Sequence, residues 1–93
     1  MADEVDFDWD TGNVGHLKAH RVTPREFEEV ILNDRLDLEY RAADGEPRYK
    51  PIGAAMKGRI LIAVWTQRAG KIRAITAYPA GINYRRLWTE RRA

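Results

Sequence analysis

Apolar and polar positions near the start of the chain follow a helical period. Val14 and Leu17 are spaced three residues apart within Thr11 to Ala19, which predicts a short first helix over that stretch. Phe7 and Trp9 precede it and alternate with aspartates.

A second helix is predicted by its start signal and by its apolar stripe. Thr23-Pro24-Arg25-Glu26 supplies a capping hydroxyl, a proline at the first helical position and a Glu three residues after the cap, which together form a capping box. Phe27, Val30 and Ile31 follow at i, i+3 and i+4, so one side of this helix packs inward. Asn33-Asp34 ends it.

The period changes to two at Arg35, where apolar and charged residues alternate as far as Asp44-Gly45. This pattern predicts a strand followed by a hairpin turn. Its partner is predicted over Arg48 to Ala54, where Pro51 indicates an edge position or a bulge because proline cannot donate to the ladder.

Two further strands and a last helix complete the pattern. Arg59 to Gln67 and Lys71 to Tyr78 are rich in branched and aromatic residues, with both faces largely apolar. Pro79 ends the fourth strand, and a basic helix is predicted from Ile82. The order predicts an α+β domain: two N-terminal helices, a four-stranded antiparallel meander sheet and a C-terminal helix, in two layers with the helices on one face.

Size and composition limit the classes of function. A chain of 93 residues with 44% hydrophobic and 32% charged residues has room for one domain, spanning residues 1 to 93. Without Cys it has no thiolate nucleophile and no sulfur metal site. The longest apolar stretch is too short for a membrane span, and the acidic start lacks the pattern of a secretion signal, so we expect a cytoplasmic protein.

Charge is divided by position along the chain. Residues 1–46 contain 13 acids and 5 Lys and Arg, whereas residues 47–93 contain 11 Lys and Arg and the single acid Glu90. If the fold gathers the basic residues on one face, that face should attract phosphate. The alternative is that the acidic half folds over the basic half and cancels its charge.

Two kinds of chemistry are consistent with the polar residues. His16 and His20 share a face of a continuous helix, which a divalent metal could use, although a complete site needs a third ligand from elsewhere. Alternatively, a histidine acts as general acid or base on RNA, with Glu46 as its complement and arginines stabilising the phosphorane charge. This second chemistry needs no metal or cofactor.

The basic residues of the second half are interleaved with aromatic ones, a mixture typical of surfaces that bind single-stranded RNA. The arginines are stronger candidates than the aromatics, because Trp65 and Tyr78 fall in apolar strands and are expected to pack in the core. The predicted RNA-binding residues are Arg48, Lys50, Arg68, Tyr78, Arg85 and Arg86.

Several short motifs occur in a fixed order along nearly the whole chain: Phe7-Asp8-Trp9-Asp10, His20-Arg21-Val22-Thr23-Pro24, Asp44-Gly45-Glu46-Pro47-Arg48, Ile52-Gly53, Gly58-Arg59 and Ile72-Arg73. In this ordered combination the chain resembles the BrnT-type toxins. The resemblance implies a bacterial protein with a RelE-like ribonuclease fold, RNA cleavage without a metal, and inhibition by an antitoxin with a ribbon-helix-helix DNA-binding domain. It also implies a homodimer or a toxin–antitoxin heterotetramer as the assembly.

Carried over residue by residue, the resemblance implies that His20, Glu46, Arg59 and Arg73 form the catalytic set. The chain departs from the family pattern at three places. The cation beside the histidine is missing at Ala19 or has moved to Arg21, Tyr78 replaces a cation, and Tyr84 replaces a glutamate. Because two cations are lost, the alternative is a BrnT-like module that binds protein or RNA without cleaving it.

Overall fold

The computed structural model describes residues 5–43 and 46–92. Its elements in chain order are α1 (Thr11–Ala19), α2 (Pro24–Leu32), β1 (Arg35–Ala43), β2 (Glu46–Ala54), β3 (Ile60–Arg68), β4 (Lys71–Pro79) and α3 (Ile82–Arg92). The predicted α+β arrangement of three helices and a four-stranded antiparallel sheet is therefore confirmed. The predicted turn at Asp44-Gly45 lies outside the described residues.

Both N-terminal helices begin with reciprocal side-chain caps. The Thr23 hydroxyl accepts from the Glu26 N–H while a Glu26 carboxylate oxygen accepts from the Thr23 N–H, which confirms the predicted capping box. The Asp10 carboxylate accepts from the Asn13 N–H, and the Asn13 side chain accepts from the Asp10 N–H. These caps satisfy backbone donors that the first turn of each helix would otherwise leave unpaired.

The strands are ordered β1-β2-β3-β4, each antiparallel to the next. Since β2 is an inner strand, Pro51 does not lie at an edge. Instead, the register of β1 shifts between Asp37 and Glu39, next to the pair of Asp37 with Pro51, which agrees with the predicted bulge.

Both faces of the sheet are covered. Leu61 and Ala63 of β3 pack with α1 and α2, whereas Ile62 and Val64 belong to a second cluster with Trp88 of α3. The helices therefore lie on opposite faces and the domain has three layers, so the expectation of two layers was wrong. The physical reason is the composition of β3, whose two apolar faces both require cover.

The α1 and α2 layer is closed by aromatic rings. Phe27 is fully buried, with the rings of Phe7 and Trp9 edge-on to it at 6.3 and 5.5 Å. Residues 6–8 run parallel to β4, held by backbone hydrogen bonds to Ile72 on both sides of Phe7.

No helix in the described ranges is long and apolar enough to cross a membrane.

Candidate functional site

Alternation along the strands places most of the predicted site residues on one face of the sheet. We call it the α3 face, because it carries Ile52, Ile62 and the Trp88 anchor of α3. Side chains two residues apart on a strand share a face. By this rule and the observed register, the α3 face holds Glu46, Arg48, Lys50, Arg68, Arg73 and Tyr78.

Lys50 and Tyr78 lie close enough to act on one ligand. Tyr78 of β4 pairs with Ile62 of β3, which pairs with Ile52 of β2. Lys50 is two residues before Ile52 and lies on the same face. From strand spacing, the Lys50 and Tyr78 Cα atoms are roughly 12 Å apart. Two long side chains can reach a common group across that distance.

α3 forms one wall of this surface. The Lys50 Nζ lies 5.6 Å from the centre of the Tyr84 ring, a cation–π contact that joins β2 to the helix. At about 100° per residue, Arg85 lies roughly 60° around the helix from the buried Trp88, and Arg86 roughly 160°. Arg85 is therefore beside the α3 face, whereas Arg86 points away from the sheet.

His20 meets the α3 face at the edge of β4. It is the C-cap residue of α1, it is exposed, and its ring centre is 5.9 Å from that of Tyr78. His16 faces the same strand, with its Nδ1 3.2 Å from the Ile75 carbonyl oxygen. Within residues 5–43 and 46–92, no three His, Asp or Glu side chains converge to hold a metal ion.

Arg73 is held by two aspartates from the N-terminal segment. Its guanidinium lies 2.7 Å from Asp10 and 3.4 Å from Asp8, and its side chain is 18% exposed. The hydrogen bond to Asp10 raises the pKa of Arg73 despite some desolvation. The Asn13 N–H and then Arg73 lower the pKa of Asp10, so Asp10 and Arg73 form a charged pair.

Arg59 lies on the opposite side, beneath α2. Its guanidinium donates to both carboxylate oxygens of Glu26 at 2.9 Å and to the Arg21 carbonyl at 2.9 Å. Burial alone would raise the pKa of Glu26, but hydrogen bonds from the Thr23 N–H and Arg59 outweigh it and lower the pKa. Thr66, the register partner of Arg73, is seven residues after Arg59 on the neighbouring strand. The two arginines are therefore roughly 20 Å apart.

Glu46 lies at the far end of the α3 face from His20. It pairs with Arg48 at 3.7 Å and stands six residues along β2 from Ile52, roughly 20 Å from the row that contains Tyr78. The structure therefore does not bring together the four residues predicted as catalytic. It joins His20 to Tyr78 instead.

Other cations of this surface lack an acidic partner. Within the described part of the chain, no carboxylate lies within salt-bridge distance of three of them: Lys50, Arg68 and Arg85. The same is true of Arg86, which points away from the sheet. The surface therefore keeps a net positive charge that is available to a phosphate backbone.

Residues 9–82 match the family described as the ribonuclease toxin, BrnT, of type II toxin–antitoxin systems. The chain belongs to the BrnT family. No protein with a curated description matches it significantly. Since BrnT proteins are the toxins of type II toxin–antitoxin systems, membership implies an antitoxin partner.

Two features of this BrnT-family site were not recognised from the sequence. The Asp8 and Asp10 contacts to Arg73 could have been anticipated only from the parallel pairing of residues 6–8 with β4. The Tyr84 contact to Lys50 depends on which side of the sheet α3 occupies.

Proposed function

We propose that this chain is a metal-independent endoribonuclease of the RelE-like kind that binds RNA along the α3 face and cleaves it beside His20 and Tyr78. The proposal depends on one observation: an exposed imidazole in contact with a tyrosine, at the edge of a face whose Lys50 and Arg85 have no carboxylate partner in the part of the chain that the structure describes. Membership of the BrnT family makes RNA the substrate to test first.

The chemistry assigns a role to each side chain. Cleavage needs a base for the 2′-OH, an acid for the departing 5′ oxygen and positive charge near the phosphorane. His20 takes the proton of the 2′-OH and then gives it to the departing 5′ oxygen, so one imidazole acts first as base and then as acid. The Tyr78 hydroxyl donates to a phosphate oxygen, and Lys50 with Arg85 holds the backbone. No metal is required for these steps.

Arg59 and Arg73 then act indirectly. The Arg59 guanidinium donates a hydrogen bond to the carbonyl of Arg21, whose φ is 59°. This bond fixes the turn between α1 and α2 that contains His20. Arg73 ties the N-terminal segment to β4. Glu46 and Arg48, at the far end of the α3 face, contact RNA away from the cleaved bond.

The proposal includes the cellular setting that the family suggests. The inhibitor is an antitoxin with a ribbon-helix-helix DNA-binding domain, and toxin and antitoxin form a heterotetramer. Both act in the cytoplasm, where the RNA is found.

A second candidate is an RNA-binding module without catalysis. It is favoured by the ion pairs of Arg59 and Arg73, because a guanidinium already bound to carboxylates is less available to a phosphorane.

The deciding experiment is cleavage of a structured messenger RNA by purified protein in EDTA. We expect wild-type activity to survive chelation, and His20→Ala to lose about 10²- to 10⁴-fold, the usual contribution of a general acid or base. His16→Ala is the matched control, since it removes an imidazole from the same helix. Equal activity in His20→Ala and wild type would disprove the site. Salt-dependent RNA binding without turnover would favour the second candidate.

A further inference from the structure

A row of aromatic side chains crosses the sheet on the face opposite α3. Tyr40 of β1 pairs with Tyr49 of β2, which pairs with Trp65 of β3. The Tyr49 and Trp65 rings are stacked at 4.2 Å and 20°, and the Tyr40 ring lies 5.0 Å from Tyr49. We call these three residues the aromatic shelf.

The shelf runs from the core to open solvent. Trp65 packs against the cluster beneath α1 and α2, and its register partner Ala74 is buried there. Its indole N–H is buried without an acceptor in the described ranges, so ring packing is what this position supplies. At the other end, Tyr40 is 60% exposed on the edge strand. With Tyr49 it lines an open groove of about 340 Å³.

Cations lie at the same edge of the sheet. Arg41 and Arg48 are sequence neighbours of the two tyrosines, so strand alternation directs them to the α3 face. The acids that line the groove are already engaged, Asp37 with Arg35 and Glu39 with Arg41. Arg41 and Arg48 are themselves in exposed ion pairs, with Glu39 and Glu46 at 3.7 Å. A chain that passes over the β1 edge would therefore cross these balanced pairs and reach Lys50, which has no carboxylate partner among the described residues, with aromatic faces on the other side.

We propose that the aromatic shelf is a second RNA contact, on which an unpaired base stacks while the backbone crosses the β1 edge from the α3 face. The inference rests on the proposed function, because it takes RNA as the ligand. Stacking on an aromatic ring accepts any base, so the shelf holds single-stranded RNA without reading its sequence. It lies on the opposite face from Tyr78 and takes no part in the cleavage step.

The test compares two eight-nucleotide probes by fluorescence anisotropy. One is 2′-O-methyl oligouridine, which lacks the attacking hydroxyl and so is not cleaved, and the other is an abasic strand of the same charge. We expect Tyr40→Ala to weaken binding of oligouridine about five- to tenfold and to leave the abasic strand unchanged. Tyr40→Phe, which keeps the ring, should bind like wild type.

Leu32→Ala is the control, because Leu32 is 57% exposed, close to the exposure of Tyr40, but lies on α2. If Tyr40→Ala bound oligouridine as tightly as wild type does, base stacking on the aromatic shelf would be disproved, and the proposed function would stand. Equal losses for both probes would also disprove base stacking there. If wild type bound neither probe, both base stacking on the aromatic shelf and the proposed function would be disproved. If Tyr40→Ala lost only its complex with the antitoxin, the shelf would be a protein interface instead.

Discussion

The two sides of the sheet use charged residues differently. On the α1 and α2 side, Arg59 is bound to Glu26 and Arg25 to Glu29. On the α3 side, Lys50 and Arg85 have no carboxylate partner among the described residues, and Lys50 contacts the Tyr84 ring. Acids from the first half of the chain also pair with Arg48 and Arg73 on the α3 side, but they leave Lys50, Arg68 and Arg85 there without a partner in the described ranges.

This difference changes how the charge division along the sequence is understood. The alternative that acids cancel the basic charge is correct in part, because acidic residues pair with Arg59 and Arg73. Attraction of phosphate by the remaining cations of the α3 face stays a prediction. An arginine that matches a family motif is therefore not necessarily available to substrate. Its partners in the fold decide that.

The largest effect should come from the core of the α1 and α2 side. Phe27→Ala removes a fully buried ring from contact with Phe7 and Trp9, and should lower the free energy of unfolding by about 3–5 kcal/mol. Urea denaturation followed by circular dichroism measures it. Leu32→Ala, an exposed position on the same helix, should change stability by less than about 0.5 kcal/mol. Similar losses in the two variants would contradict the assigned core.

The α3 side should be less costly to disrupt. Trp88 anchors α3 on Ile52 and Ile62, whereas most other side chains of the helix are exposed. We expect Trp88→Ala to cost about 2–3 kcal/mol, because α3 can detach while the rest of the sheet stays folded. Hydrogen exchange should show lost protection in α3 and retained protection in β3. Uniform loss across the domain would show that both sides are one cooperative unit.

Arg73 and Lys50 should differ in role, with Arg73 stabilising the fold and Lys50 binding RNA. Arg73→Met leaves Asp8 and Asp10 without their partner and should cost about 1–2 kcal/mol of stability. Lys50→Met should leave stability nearly unchanged but reduce RNA affinity and lower the slope of log affinity against log salt by about one unit. Both quantities are measured on both variants. A larger affinity loss in Arg73→Met would make Arg73 the ligand-binding residue.

The sequence predicted the elements well because their signals are local. The Thr23 capping box fixed the start of α2, and the bounds of α1 were predicted as observed. The alternating pattern of β1 and the proline that ends β4 placed the strands. Each of these depends on residues within a few positions of one another.

The site could not be predicted to the same degree, since it depends on which elements meet across the sheet. The contacts of Arg73 with Asp8 and Asp10 and of Arg59 with Glu26 join residues far apart in sequence. The side taken by α3 is equally non-local, although the two apolar faces of β3 were a usable signal for a third layer. Family motifs identified candidate residues but not their partners.

The smallest expected effect concerns the ion pair on the α1 and α2 side. Glu26→Gln keeps the shape and the cap of α2 but removes the charge opposite Arg59, and should cost less than about 1 kcal/mol at pH 7. Because the fold lowers the pKa of Glu26 below its ordinary 4.5, the carboxylate stabilises the protein above that pH and ceases to do so as the pH falls through the folded-state pKa. Chemical denaturation from pH 7 to pH 3 should therefore show the difference between wild type and Glu26→Gln shrinking below about pH 4.5. If the difference in free energy of unfolding stayed constant with pH, Glu26 would act through packing rather than through its charge. The stability of the α1 and α2 side would then come from its core and not from the ion pair with Arg59.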